Sequence, residues 1–219
     1  MFADFDWSVV ARAYPFLLQG MWLTLQLTFI AILGGIFFGM LLALLRLAPV
    51  RAVSFAAGSY VNFFRSMPLI LVIFWFYFLV PVLVGRPIGG FYSVLIAFVM
   101  FEAAYYCEIV RAGIQSVSRG QMMAGSALGL TYAQSMKEIV LPQAFRNMIP
   151  VLLTQSIIMF QDTSLVYVVG LKDFLTSADI IANRDNRLVE MYTVVAVVYF
   201  VLCLSGSLLV RKLQRKYVI

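Results

Sequence analysis

The chain has 219 residues, of which 63% are hydrophobic and only 12% charged, and its mean hydropathy is +0.96. Soluble domains average about a quarter charged and about half apolar residues, so no single globular core of this length hides the excess, and a bilayer is the solvent the composition implies. The net charge of +6 sits in loops beside apolar runs rather than in a nucleic-acid patch, and the absence of histidine excludes imidazole ligands, bases and proton relays.

In chain order, the N-terminus opens with Asp4 and Asp6 and carries no basic stretch or cleavage site, so no removable signal peptide is expected. Five apolar runs follow, at about 17–45, 55–84, 91–110, 148–170 and 192–210. About 20 residues cross the hydrocarbon core, so the first two runs must tilt or extend beyond it. Backbone groups in lipid are satisfied internally, which makes these spans helices. The expected fold is therefore all-α: one polytopic membrane domain over 1–219. Gly35 and Gly39 form a GxxxG pair that predicts close helix packing. Cys107 and Cys203 are far apart in apolar stretches and read as small hydrophobes, with no disulfide framework and no metal site.

An odd number of spans puts the termini on opposite sides. With the C-terminus inside, the inner segments hold Arg46, Arg51, Arg111, Arg119, Lys137, Arg146, Arg211, Lys212, Arg215 and Lys216. The outer segments hold Arg12, Arg86, Lys172, Arg184 and Arg187. Ten against five predicts an external N-terminus and a cytoplasmic C-terminus. The outer segment 172–190 also carries Asp173, Asp179 and Asp185 and reads as a solvated loop.

The inner loop 111–146 is too polar to span. Two short helices fit, around 122–128 and 132–140, with Gly129 as the turn between them and Pro142 ending the second. Spacing alone leaves two readings open: an amphipathic hairpin lying on the membrane, or a docking element that passes a push from a cytosolic partner to the spans. At this point a resemblance enters. Met123, Ala124, Gly125, Gly129, Ile139, Leu141 and Pro142 stand in register with the coupling loop of ABC importer permeases: E-A-A, three residues, G, nine residues, I, one residue, L-P. Met123 departs from the acid of that pattern and Gly125 from its second alanine. FRSMPL, FEAAYYCEIVRAGIQSVSRGQ, LPQAFRNMIP and QDTSLVYVV extend the resemblance over about 15–215, to the polar amino acid permeases of these importers. FQDTSLVYV and the VEM before the last span are similar to the glutamate/aspartate permeases among them. The resemblance implies the type I importer permease fold in a bacterial inner membrane. It also implies a cytoplasmic ABC ATPase dimer, a second permease subunit and an extracytoplasmic substrate-binding protein as partners.

Four ionisable residues fall in or beside the spans: Arg65, Glu102, Glu108 and Asp162. Arg65 shares a helical face with Gly58 and Asn62, and Asp162 shares one with Gln155 and Met159. A guanidinium fork suits a carboxylate, and an aspartate suits an ammonium, so the two stripes together suit an amino acid zwitterion. A mutual Arg65–Asp162 lock, or Arg65 snorkelling to the interface, are the structural alternatives. Glu102 and Glu108, beside Tyr105 and Tyr106, read as structural, with Glu108 three residues before Arg111. Pro68 is expected to disturb the helix after Arg65. The neutral Gln155 amide is compatible with glutamate, aspartate or glutamine.

None of the four lysines follows a glycine, so the chain has no phosphate loop of its own, and no catalytic triad, metal cluster or cofactor motif appears. The chain is not expected to be an enzyme; transport driven by ATP would need a separate ATPase. The rival class is an ion-coupled secondary transporter using Asp162, Glu102 or Glu108 as its ion site, against which stand the few spans and the patterned loop.

Overall fold

The computed structural model describes residues 5–217; Asp4 and the side chain of Lys216 lie outside the described residues. Among the described residues all regular structure is helical. Four helices are long and apolar enough to cross a membrane, and a bent pair makes up to a fifth.

Helix α1 runs Trp7–Arg46, and Asp6 caps it by accepting from the Ser8 N–H at 2.8 Å. Its buried face carries Gly20, Thr24, Leu27, Thr28, Ala31, Gly35, Gly39 and Ala43, a stripe of mostly small residues at helical spacing. From Gly35 onward that stripe lies on the long helix Gly90–Gln115, while Gly20 and Thr24 meet the segment 173–177. A methyl group on Gly35 would sit 2.7 Å from Glu102 Cβ. One on Gly39 would sit 2.7 Å from Tyr106 Cβ and 3.0 Å from the Ala103 carbonyl oxygen. The GxxxG pair therefore does pack helix on helix. The opposite face of α1 leaves Phe29, Leu33, Phe37, Leu41 and Leu44 exposed, a surface that suits lipid and not water.

Helix α2, Arg51–Arg65, ends where Pro68 forbids continuation, and α3, Leu69–Val84, starts afresh at an angle of 103°. The run expected as one span over 55–84 is thus two helical arms. Helix α4 is Gly90–Gln115, and α5, Arg119–Ala127, lies in the inner loop.

Helix α6, Tyr132–Val169, corrects one expectation: Pro142 does not end it. A π turn over Met136–Val140 lets the Leu141 N–H reach the Met136 carbonyl five residues back, and this wider turn accommodates the proline that follows. The same device, a π turn over Trp75–Leu79, precedes Pro81 in α3. The last turns of α6, Thr163–Val169, tighten to a 3₁₀ helix that stops at Gly170 with φ +72°.

The outer segment 172–190 is not a solvated loop. It contains α7, Phe174–Arg184, capped by Asp173, which accepts from the Leu175 and Thr176 N–H groups at 3.1 and 2.9 Å. Phe174, Ala178, Ile181 and Ala182 recur on one face and pack against Val9, Ala13 and Leu17 of α1. They also meet Met191 and Val195 of α8, Leu188–Tyr217. Burial raises the Asp173 carboxyl above the usual carboxylate range, and its hydrogen bonds only partly offset this. Asp179 accepts from Tyr192 Oη at 2.7 Å, and Asp185 pairs with Arg184. Cys107 is buried and Cys203 half-buried, both as free thiols.

Gly39→Leu tests the α1–α4 contact. Overpacking there should cost about 1–3 kcal/mol, read as a lower thermal unfolding temperature in detergent; an unchanged melt would contradict the packing described.

Candidate functional site

Three elements converge in the half of the bundle that carries the 111–146 loop. On α4, Tyr105, Glu108 and Ala112, with Ser116 as its C-cap, repeat at three- and four-residue spacing. On α6, Asn147, Val151 and Gln155 do the same. Arg65 enters from the broken end of α2. Together they line a cleft of about 350 Å³. Gly113 lies directly against Met148, so α4 and α6 close on each other along its floor.

Glu108 is the charge at the mouth of this cleft. It accepts from Arg46 Nη1 at 2.5 Å and from Arg111, whose Nε lies 3.0 Å away and whose Nη2 also donates. Arg65 Nη1 stands 3.9 Å from the same carboxylate. One carboxylate neutralises one guanidinium, so the cluster keeps an excess of positive charge. Arg65 is the loosest of the three, with 39% of its side chain exposed, and its guanidinium carbon lies 5.4 Å from the centre of the Tyr105 ring. The partner that Arg65 meets is Glu108 and not Asp162, so the structure does not form the Arg65–Asp162 lock.

At the end of the cleft farther from the 111–146 loop, Gln155 is buried. Its Nε2 donates to both oxygens of Glu102, at 3.1 and 3.2 Å. Glu102 is 0% exposed.

Of the six residues proposed from sequence, Arg65 and Gln155 line one cleft. Gly58 and Asn62 share a face as expected, but that face borders a separate groove of about 540 Å³ with Arg46, Arg51 and Ser54. Met159 is 0% exposed and belongs to the apolar core with Leu27 and Ile73. Asp162 is half-buried one helical turn further on, near enough to act electrostatically on Glu102 and Tyr105 but outside the cleft lining. Helical spacing put each pair on one face; it carried no information on where a neighbouring helix covers that face. Spacing found the Glu108–Arg111 pair, whereas the Arg46 contact joins residues 62 apart and has no local signal. The repeats from Tyr105 to Ser116 and from Asn147 to Gln155 were available in the sequence and mark the cleft.

In the inner loop, Gly129 has φ +79°, the left-handed turn expected of it. The Leu130 N–H closes that turn on the Gly125 carbonyl at 3.0 Å. A methyl group on Gly125 would meet Ser135 Oγ at 2.5 Å and Ile139 Cδ1 at 3.0 Å, which explains why glycine stands where the coupling pattern has alanine. Thr131 and Gln134 form a reciprocal capping box at the start of α6. Helix α5 is thereby clamped to α6, while Met123, Leu128 and Tyr132 remain exposed. Leu141 and Pro142 continue the same α6 that carries Gln155.

The profile of the family described as the binding-protein-dependent transport system inner membrane component matches residues 35–219. The chain belongs to this family. It is 51% identical over 220 residues to the glutamate/aspartate import permease protein GltK of Escherichia coli O6:H1, covering 97% of this chain and 98% of that protein. It is 32% identical to the arginine transport system permease protein ArtQ of Bacillus subtilis, covering 97% of each. A crystal structure of an amino acid ABC transporter with histidines superposes with a TM-score of 0.91 at 33% identity, covering 96% of this chain and 98% of that one. The permease is thus a multi-pass, non-catalytic inner-membrane component of an amino acid ABC importer. The ion-coupled alternative is set aside.

Glu108→Gln should leave three guanidinium groups with no compensating carboxylate. The expected loss is about 1–3 kcal/mol of stability, tempered by partial exposure. Thermal unfolding of the permease in detergent checks it, and a wild-type melt would contradict the role given to Glu108.

Proposed function

We propose that the permease forms the translocation path for glutamate and aspartate in an importer driven by a separate cytoplasmic ATPase. The observation that carries this reading is the loosely held Arg65 in the cleft lining, beside a cluster in which Arg46, Arg65 and Arg111 share the one carboxylate of Glu108. Arg65 would exchange its distant contact with Glu108 for the bidentate grip of a substrate carboxylate. The field of Arg46 and Arg111 favours a second carboxylate, and Gln155 supplies a neutral polar contact at the far end. The identity to GltK supports the same substrate class.

A single chain lines only one side of such a path, so a second permease, identical or paralogous, faces it across an approximate two-fold axis. The N-terminus lies outside, where a binding protein delivers substrate. On the inside, the exposed Met123, Leu128 and Tyr132 dock the ATPase. Closure of the ATPases pushes α5, and the clamp at Gly125, Ser135 and Ile139 passes that movement to α6. Because α6 continues through Pro142, the movement reaches Gln155 along one helix and switches the path between inward-open and outward-open forms.

The direct test is a mild-detergent pull-down of the tagged chain from its native membrane, with partners identified by mass spectrometry. A stoichiometric P-loop ATPase is expected; a folded preparation lacking one would overturn the reading. Arg65→Ala should abolish glutamate uptake while the complex still assembles, and retained affinity and rate would demote Arg65 to a structural part. Gly129→Leu forces a bulky residue to φ +79°, at a cost of about 1–2 kcal/mol. It should abolish uptake while the protein still inserts, and normal uptake would sink the coupling mechanism.

A further inference from the structure

We infer that Tyr105 is a positioning residue: its ring holds the Arg65 guanidinium off Glu108 and so keeps it free for a carboxylate that enters the cleft. This rests on the proposed substrate site at Arg65.

Tyr105 and Glu108 are three residues apart on α4, so the ring and the carboxylate lie next to each other on one face of the helix. Arg65 meets both from the end of α2. Its guanidinium carbon stands over the Tyr105 ring, 5.4 Å from the centroid and within cation–π range. The ring is itself backed by Phe101, one turn earlier on α4, with ring centroids 4.9 Å apart, and Phe101 is buried. Among the described residues the Tyr105 hydroxyl has no hydrogen-bond partner, so what Tyr105 offers Arg65 is its face.

The distances around Glu108 show what this platform does. Arg46 and Arg111 both donate to the carboxylate, whereas Arg65 Nη1 stops at 3.9 Å, beyond hydrogen-bond range. A carboxylate has about four acceptor positions, and the donors from Arg46 and Arg111 fill three of them. One position is therefore open, and Arg65, with 39% of its side chain exposed, has the freedom to take it. It lies over the ring instead. Repulsion from Arg46 and Arg111 alone would push Arg65 outward into solvent. The electron-rich ring face gives it a fixed place in the cleft lining. A guanidinium already placed there loses less freedom on gripping a carboxylate than one free in solvent. Without the ring, Glu108 draws Arg65 into its open position, and an incoming carboxylate must first displace Glu108.

The test is equilibrium binding of radiolabelled glutamate to the purified importer complex without its binding protein, with thermal unfolding in detergent as the control for assembly. Tyr105→Leu should bind glutamate about fivefold more weakly, the scale of one partly exposed cation–π contact. Tyr105→Phe should keep wild-type affinity, because it keeps the ring face. In a Glu108→Gln background, Tyr105→Leu should weaken binding by less than about twofold, because Arg65 then has no neighbouring carboxylate to collapse onto. A ring that served only packing would lower affinity equally in both backgrounds. Tyr105→Met replaces Tyr105→Leu if the latter does not assemble, and the comparison with Tyr105→Phe decides alone if Glu108→Gln does not. The inference is overturned if the aliphatic variant keeps wild-type affinity, or if Tyr105→Phe loses as much as it does. It is also overturned if removing the ring weakens binding equally with and without the Glu108 carboxylate. Unchanged affinity in Arg65→Ala, or no glutamate binding by wild type, would instead overturn the underlying site.

Discussion

One carboxylate ties together the half of this permease that carries the 111–146 loop. Glu108 receives Arg46 from the end of α1, Arg65 from the end of α2 and Arg111 from its own helix, so three helix ends share one anion. In the reduced dielectric between helices such a contact is strong only while it is complete. It also leaves the region electropositive. Arg65, placed at a helix end by the break of α2, is the loosest and most exposed of the three and the one that lines the cleft.

The remainder of the fold serves this junction. The small-residue face of α1 lets it approach α4 closely enough for Arg46 to reach Glu108 and for Gly35 to seal Glu102 from solvent. Pro68 stops α2, so Arg65 ends a helix instead of sitting in the middle of one. At the end that carries the 111–146 loop, a π turn carries α6 past Pro142, so one helix, with Pro150 inside it, links the α5 clamp to Gln155. At the opposite end, α7 packs over the beginning of α1. The Phe174 N–H donates to Thr24 Oγ1 at 3.1 Å and ties the start of α7 to α1.

Much of this was legible in the sequence, and the limits have physical causes. Long apolar runs gave the helices, because lipid permits no other backbone arrangement for them. Gly35, Gly39 and Gly129 announced close packing and a left-handed turn, both properties of a single residue and its spacing. Pro142 misled, because a helix stop and a π-relieved proline look alike until the preceding turn is seen. The outer segment misled in another way: its aspartates drew attention, while the apolar recurrence of Phe174, Ala178 and Ile181 marked a packed helix. Arg65 and Gln155, chosen on chemistry and face, line one cleft. Met159 was not distinguishable from a cleft residue, since the covering of its face by α1 and α3 is a tertiary fact. The Arg46–Glu108 contact was hidden for the same reason.

The measurement that bears most directly on the central claim is uptake of labelled glutamate into proteoliposomes holding the assembled importer and its binding protein, with ATP and ion gradients varied separately. The expected result is uptake that requires ATP, proceeds with all gradients collapsed, and is blocked by unlabelled aspartate. Uptake that follows a proton or sodium gradient without ATP would contradict an electropositive cleft driven through α5 and α6 by a partner ATPase.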